Sequence, residues 1–295
     1  MTNTTINKLV IIGVGLIGGS FAMALRHGGA VKHIVGVGRS SDNMQRALDQ
    51  RVIDEIATDM ASAIRNADVV LLAMPVGQTE RIMTEIAPHL AENTLITDAG
   101  STKQDVIASA RHHLKQESLT NFVPGHPIAG AEQSGVLAAK SDLYNNKHVI
   151  ITPLAETRTE ATQAITNLWQ ACGATVSQMA ADEHDNVLAA TSHLPHILAF
   201  ALMNHLHTST ERNPENLLRF AGSGFRDFTR IASSSPEMWR DICIANRHAL
   251  ISQMDAYQNE LEILREILVN DDGVRLEEEF SQARGVRDNW LRQKG

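Results

Sequence analysis

The sequence predicts an α/β protein: a mostly parallel sheet covered by helices on both faces up to about Met179, and helices alone from Ala180 onward. Three observations predict it. Short β-rich runs alternate with helical patterns through the first half, a glycine-rich turn joins the first run to the first helical pattern, and strand signals stop after Ala180.

Composition narrows the class. The 295 residues are 43% hydrophobic and 20% charged, which suits one large or two ordinary domains. A formal charge of -8 with no clustered basic run argues against nucleic acid or an anionic membrane as partner, and leaves room for a small anionic ligand held by a few arginines. Cys172 and Cys243 lie far apart in no paired motif and read as reduced thiols. The N-terminus has no basic region followed by a long apolar run and a cleavage site, and no continuous apolar run approaches about 18 residues. A cytoplasmic protein is expected.

The elements follow in order. "KLVIIG" is an apolar strand, and "VIIGVGLIGGSFAMALRHGG" carries it into a helix through Gly13, Gly15 and Gly18. In that context the spacing is a dinucleotide fingerprint: Gly13 permits the tight turn, Gly15 lets a pyrophosphate approach, and Gly18 packs helix on strand. The phosphates would rest at the helix start, on Leu16 and Ile17. A Rossmann-type dinucleotide-binding domain over residues 1–179 is therefore expected.

The second strand, "HIVGV", ends at Gly38, where an acid would favour NAD by binding the ribose hydroxyls. Arg39, Ser40 and Ser41 stand there instead and suit a 2′-phosphate, so NADP is expected in preference to NAD. Asp42 is the alternative ribose partner if the loop is shifted.

Apolar runs "ADVVLLAMP", "TLITDAG", "NFVPGHP", "KHVIITP" and "ATVSQM" complete the strands. Ser101 and His126 follow two of them, hence lie at the carboxyl edge where such sheets bind ligands. A neutral imidazole at His126 can take a hydroxyl proton during hydride transfer, whereas a hydrogen-bonded loop histidine is the plain alternative. Ser101 could equally cap the helix that "TKQDVIASA" begins.

The helical half, 180–295, opens with "ADEHDNVLAATSHLPHILAFAL", where Asp185, Ala189, His193 and His196 share one face. That face is either a packing surface or a polar wall of a cleft. No carboxylate or cysteine cluster completes a metal site, and none is expected. In "GSGFRDFTRIASSSPEMWRDI", Arg226 and Arg230 are four apart, suited to clamping carboxylates or to surface ion pairs. Trp239 alone reads as core or interface. From Pro236 one helical pattern continues to Asn270, with Leu250, Met254, Tyr257, Leu261, Leu264 and Leu268 in a seam that suits a second subunit.

Taken together, "GVGLIGGSFA", "DAGSTK", "GHPIAGAEQSGV", "ATSHLPHILAFAL" and "GSGFRDFTRIASSSPEMWRDI" resemble the prephenate/arogenate dehydrogenases, most closely the bacterial cyclohexadienyl type. The resemblance implies a dinucleotide-binding domain followed by an all-helical dimerisation domain, and the oxidative decarboxylation of prephenate or arogenate that leads to tyrosine. It implies that His126 and Ser101 contact the ring hydroxyl and that Arg230 binds a substrate carboxylate. His193, His196 and Arg226 would line or support the pocket, Trp239 would approach from the partner subunit, and tyrosine would be a feedback ligand. Two departures are Ser223, where a glycine often stands, and the missing acid after the second strand. A 3-hydroxy-acid dehydrogenase would want a lysine base in the helical half, yet no lysine occurs between Lys147 and Lys294. A noncatalytic dinucleotide sensor would leave the histidines and arginines of that half idle.

Overall fold

The computed structural model describes residues 5–130, 133–209 and 218–294. Strands β1 (Ile6–Ile12), β2 (Val31–Val37), β3 (Glu55–Ile56), β4 (Val69–Leu72), β5 (Leu95–Asp98) and β6 (Phe122–Val123) form a parallel sheet in the order β3-β2-β1-β4-β5-β6. That is the doubly wound dinucleotide-binding order, with its switch point between β1 and β4. The alternation of β1 explains why the sheet is covered on both faces. Leu9 and Ile11 enter one buried cluster with Phe21 and Trp169, while Val10 and Ile12 enter another with Ile82, Met83 and Phe122.

Helices α1 (Leu16–His27), α2 (Ser41–Asp49), α3 (Met60–Ile64), α4 (Thr79–Ile86), α5 (Gln104–His113), α6 (Gln116–Leu119) and α7 (Thr159–Ala171) connect and cover the strands. The run "NFVPGHP" differs from its expected single strand. The chain leaves the first sheet after β6 at Pro124 and begins β7 (Gly125–Pro127) of a second sheet, with β8 (His148–Ile151) antiparallel to it and β9 (Thr175–Gln178) parallel to β8. Proline cannot donate to a ladder, so the switch falls where a hydrogen bond is already missing.

After β9 the elements among the described residues are helical: α8 (Ala181–Leu188), a π-turn (Ala189–His193), α9 (Leu194–Ser209), α10 (Ser223–Thr229), a 3-10 turn (Arg230–Ser233), α11 (Pro236–Ala245), α12 (Arg247–Val269) and α13 (Gly273–Lys294). By packing, the chain divides into two compact units, Met1–Arg247 and His248–Gly295. Thus α8 to α11 share a unit with both sheets. The continuous helix expected from Pro236 is broken at Asn246, whose φ of -100° and ψ of 25° leave the helical range. Its seam residues Tyr257, Leu261 and Leu268 are exposed on α12, and Leu250 is buried.

No continuous apolar run was expected to approach a membrane span. Averaged over a window, Ala181–Thr208 does reach that length and mean hydropathy, at 28 residues and 1.3. It also carries the buried polar side chains His184, Asp185 and His193, which suits the wall of a site rather than a lipid-facing surface.

Candidate active site

At the carboxyl end of β1, Gly13 has φ +101°, and a side chain there would strike the carbonyl of Ala73 after β4. Gly18 likewise abuts the carbonyl of Gly13, whereas the space beside Gly15 is open. Helix α1 starts at Leu16 without a side-chain cap or an acidic residue in its first turn. Its first backbone donors, at Leu16, Ile17 and Gly18, thus suit an anion such as a pyrophosphate. Asn43 braces this loop, donating through Nδ2 to the carbonyl of Val14 at 2.7 Å and accepting at Oδ1 from the N–H of Val136 at 3.0 Å. Motif reading missed Asn43, because only the fold brings α2 to the glycine turn.

After β2, Arg39 is exposed and lies 3.9 Å from Glu237. Ser40 caps α2 by accepting from the N–H of Asn43, Ser41 begins that helix, and Asp42 occupies its first turn.

The second centre is a cavity of about 520 Å³ lined by Ser101, His126, His193, His196, Arg230 and Trp239, among others. The structure thus brings six of the seven candidate catalytic and substrate residues to one space. Arg226 lies apart, lining a neighbouring hollow with Arg230, Phe200 and Asn204. Trp239, which the family resemblance would bring from a partner, lines the cavity of its own chain and stacks on His196 at 3.7 Å between ring centroids.

Ser101 does not cap α5. The N–H groups of Lys103 and Gln104 instead donate to the two carboxylate oxygens of Asp185, at 2.8 and 2.9 Å. A carboxylate from α8 therefore caps a helix some eighty residues earlier and leaves the Ser101 side chain beside the cavity. Burial raises the Asp185 pKa, but bonds from His184, Gln104 and Lys103 outweigh it and hold the carboxyl below its ordinary range.

Beneath the cavity, Lys103 is fully buried; its ammonium pairs with Asp98 and donates to the carbonyl of Gly125 at 2.8 Å. Asp98 in turn accepts from the N–H of Gly125 at 3.0 Å and of Gly100 at 2.8 Å. Both backbone groups of the residue before His126 are thus pinned, and the strand switch after Pro124 is held in place. Both residues stand in "DAGSTK", but the sequence singles out only Ser101 there, and the reach of Lys103 and Asp98 to Gly125 depends on β5 lying beside β6.

His126 is buried on β7, opposite Ile150 of β8. Its Nδ1 lies 2.9 Å from Nε2 of His184, whose Nδ1 lies 2.8 Å from Oδ1 of Asp185. A carboxylate only accepts, so His184 donates from Nδ1 and, when neutral, accepts at Nε2. His126 must then donate from Nδ1. Its Nε2 carries a bare lone pair, the form a base requires. Burial, followed by the charges of His184, Lys103 and His193, pushes the His126 pKa well below the usual histidine value.

A dinucleotide-binding sheet with a neutral histidine and a serine at its carboxyl edge defines a class: a nicotinamide-dependent dehydrogenase acting on a hydroxyl group. Residues 21–178 match the family described as "Prephenate dehydrogenase, nucleotide-binding domain", and residues 180–282 match "Prephenate dehydrogenase, dimerization domain". The chain is 40% identical over 291 residues to prephenate dehydrogenase of Bacillus subtilis, covering 98% of this chain and 78% of the relative. It is 34% identical to cyclohexadienyl dehydrogenase of Zymomonas mobilis, covering 96% of each. A crystal structure of prephenate dehydrogenase from A. aeolicus, in complex with hydroxyphenyl propionate and NAD+, superposes with a TM-score of 0.88 at 34% identity, covering 95% of this chain and 97% of the other. The chain belongs to the prephenate dehydrogenase family, the NAD(P)-dependent dehydrogenases of the oxidative decarboxylation that leads to tyrosine.

The lowered pKa moves the expected acid limb of the rate. An ordinary histidine would lose activity near pH 6.5. With its pKa depressed, His126 stays unprotonated further into acid, so kcat/KM is predicted to hold flat through that pH and fall only well below it. His126→Asn should remove the limb and lower turnover by about 10²-fold or more. Rate profiles of the two proteins check this; an acid limb that persists in the variant would reassign the base.

Proposed function

We propose that the enzyme oxidises the ring hydroxyl of prephenate or arogenate, with residues 1–179 holding the cofactor and 180–295 completing the substrate site and the dimer. The observation that carries this reading is the bare Nε2 of His126 in a cavity that also holds Ser101 and Arg230. His126 accepts the hydroxyl proton, Ser101 orients the hydroxyl, and Arg230 binds a carboxylate at the rim. The nicotinamide, when bound, takes the hydride. Loss of carbon dioxide from the opposite ring carbon then gives 4-hydroxyphenylpyruvate from prephenate or tyrosine from arogenate. His193, His196 and Trp239 wall the ring. Arg226, in the adjoining hollow, supports Arg230. Tyrosine, which keeps the phenol and a side-chain carboxylate, is the proposed feedback ligand, and the cytoplasm the proposed compartment.

NADP is proposed over NAD, because Gly38 leaves no carboxylate to repel a 2′-phosphate and Arg39 stands exposed beside it. Placing an acid at Gly38 is a poor test, since its Cβ would lie 2.5 Å from Sδ of Met44. Arg39→Leu is cleaner. Turnover of prephenate and of arogenate, each with NADP and NAD, is read at the reduced-nicotinamide absorbance. The unmodified enzyme should favour NADP by about tenfold to a hundredfold in kcat/KM, and Arg39→Leu should lose most of that preference. Equal use of both cofactors by the unmodified enzyme would remove the role given to Arg39, and turnover of neither substrate would remove the function.

The dimer is proposed to form through the unit His248–Gly295, where Tyr257, Leu261 and Leu268 of α12 and Phe280 and Val286 of α13 are exposed. Light scattering at micromolar concentration should give twice the chain mass, and Leu261→Glu with Leu268→Glu should give the chain mass. A monomeric unmodified protein would contradict this.

A further inference from the structure

The break at Asn246 interrupts a sequence pattern that otherwise favours one continuous helix, and the buried Asn246 side chain lies at that break. Its Nδ2 lies 2.7 Å from the carbonyl oxygen of Asp185 and 3.1 Å from Nδ1 of His193. The carbonyl fixes the chemistry. A carbonyl oxygen only accepts, so the amide must turn its NH2 toward it, and the second hydrogen of that NH2 meets His193. His193 therefore accepts at Nδ1 and, when neutral, carries its proton on Nε2. That Nε2 is buried, has no partner among the described residues, and belongs to a ring that lines the cavity. A buried donor without a partner is costly, and a ligand is what would satisfy it. The indole Nε1 of Trp239, whose ring lies 6.0 Å from that of His193, is a second buried donor in the same condition.

We propose that Asn246 is a positioning residue: it fixes His193 as the Nε2–H tautomer, so that His193 meets an acceptor oxygen of the substrate as a neutral donor, the complement of the bare Nε2 of His126. The proposal rests on the dehydrogenase reading for the identity of the ligand, and on geometry alone for the tautomer. The π-turn Ala189–His193 supports it, because such insertions re-aim side chains at functional positions and this one ends on His193. Neutrality matters as well. Burial lowers the His193 pKa to about 4, so the ring is uncharged at neutral pH. A cation there would oppose the imidazolium that forms on His126 when it takes the hydroxyl proton. A neutral donor binds the oxygen without that opposition.

The test labels histidine with 15N and reads the tautomer of His193 in the free protein by long-range nitrogen–proton correlation, with His193→Gln giving the assignment. Asn246→Asp keeps the shape and replaces the NH2 by an acceptor. The unmodified protein should show His193 neutral and protonated on Nε2. Asn246→Asp should move the proton to Nδ1 and weaken binding of hydroxyphenyl propionate, measured with NAD+ present, by about tenfold to a hundredfold with NAD+ affinity unchanged. His193→Gln, which keeps an amide donor on that side chain, should bind the probe more tightly than His193→Leu. A proton on Nδ1 in the unmodified protein overturns the proposal without requiring any variant to fold, and so does probe affinity within twofold in Asn246→Asp. If the tautomer is as stated but the unmodified protein binds no probe, the substrate reading fails and takes the donor role with it.

Discussion

The carboxylate of Asp185 is the constraint on which the rest of the site depends. One oxygen accepts from the N–H of Lys103 and from Nδ1 of His184, and the other from the N–H of Gln104. A negative charge at the start of α5 satisfies backbone donors that would otherwise be orphaned and meets the positive end of the helix dipole. The same charge sets the proton on His184 and, through it, the lone pair on His126. The main-chain oxygen of Asp185 meanwhile takes the amide of Asn246, which fixes His193. One residue of the helical half thus organises both His126 and His193, which line the same cavity.

The groups behind the site are paired, the buried donors of His193 and Trp239 are left for a ligand, and the chemical groups stay neutral. The ammonium of Lys103 is paired with Asp98 and donates to the carbonyl of Gly125, so this buried charge serves position rather than proton transfer. Breaking such a pair from one side would strand the other charge, which is why it belongs to the framework. His126, His193 and His196 all have pKa values lowered by burial. Positive charge is left to Arg226 and Arg230, which are exposed at the edge. That division suits a reaction in which one carboxylate must be held and another released, since a guanidinium against the departing group would stabilise the ground state more than the transition state.

Much of this was legible in the sequence, and the limits are physical. The parallel sheet, the glycine turn and the helical second half follow from local pattern, because short apolar runs, helical spacing and the strand–glycine–helix order are local properties of the chain. Ser101, His126, His193, His196, Arg230 and Trp239 were reached through loop position, helical spacing and family resemblance, and they do line one cavity. What escaped was what depends on distant contact. Local pattern cannot show that Asp185 caps a helix beginning at Gln104, that Lys103 reaches Gly125, or that His184 backs His126. Nor could it place the break at Asn246, since the residues on either side favour helix and the competing bonds come from α8 and the π-turn. The split of "NFVPGHP" between two sheets had a local signal in Pro124, which the apolar character of the run concealed.

The most direct test of this organisation is the turnover number of His184→Leu on the substrate that the unmodified enzyme uses. The substitution is apolar at a position with no solvent exposure and touches neither the cofactor loop nor the arginines. It removes the acceptor that keeps the His126 proton on Nδ1. Turnover should fall by at least about tenfold, with the Michaelis constant little changed, because the proposed base is lost as a lone pair rather than as a binding contact. Turnover equal to that of the unmodified enzyme would show that His126 needs no partner to present its base, and would contradict the role assigned to Asp185 and His184.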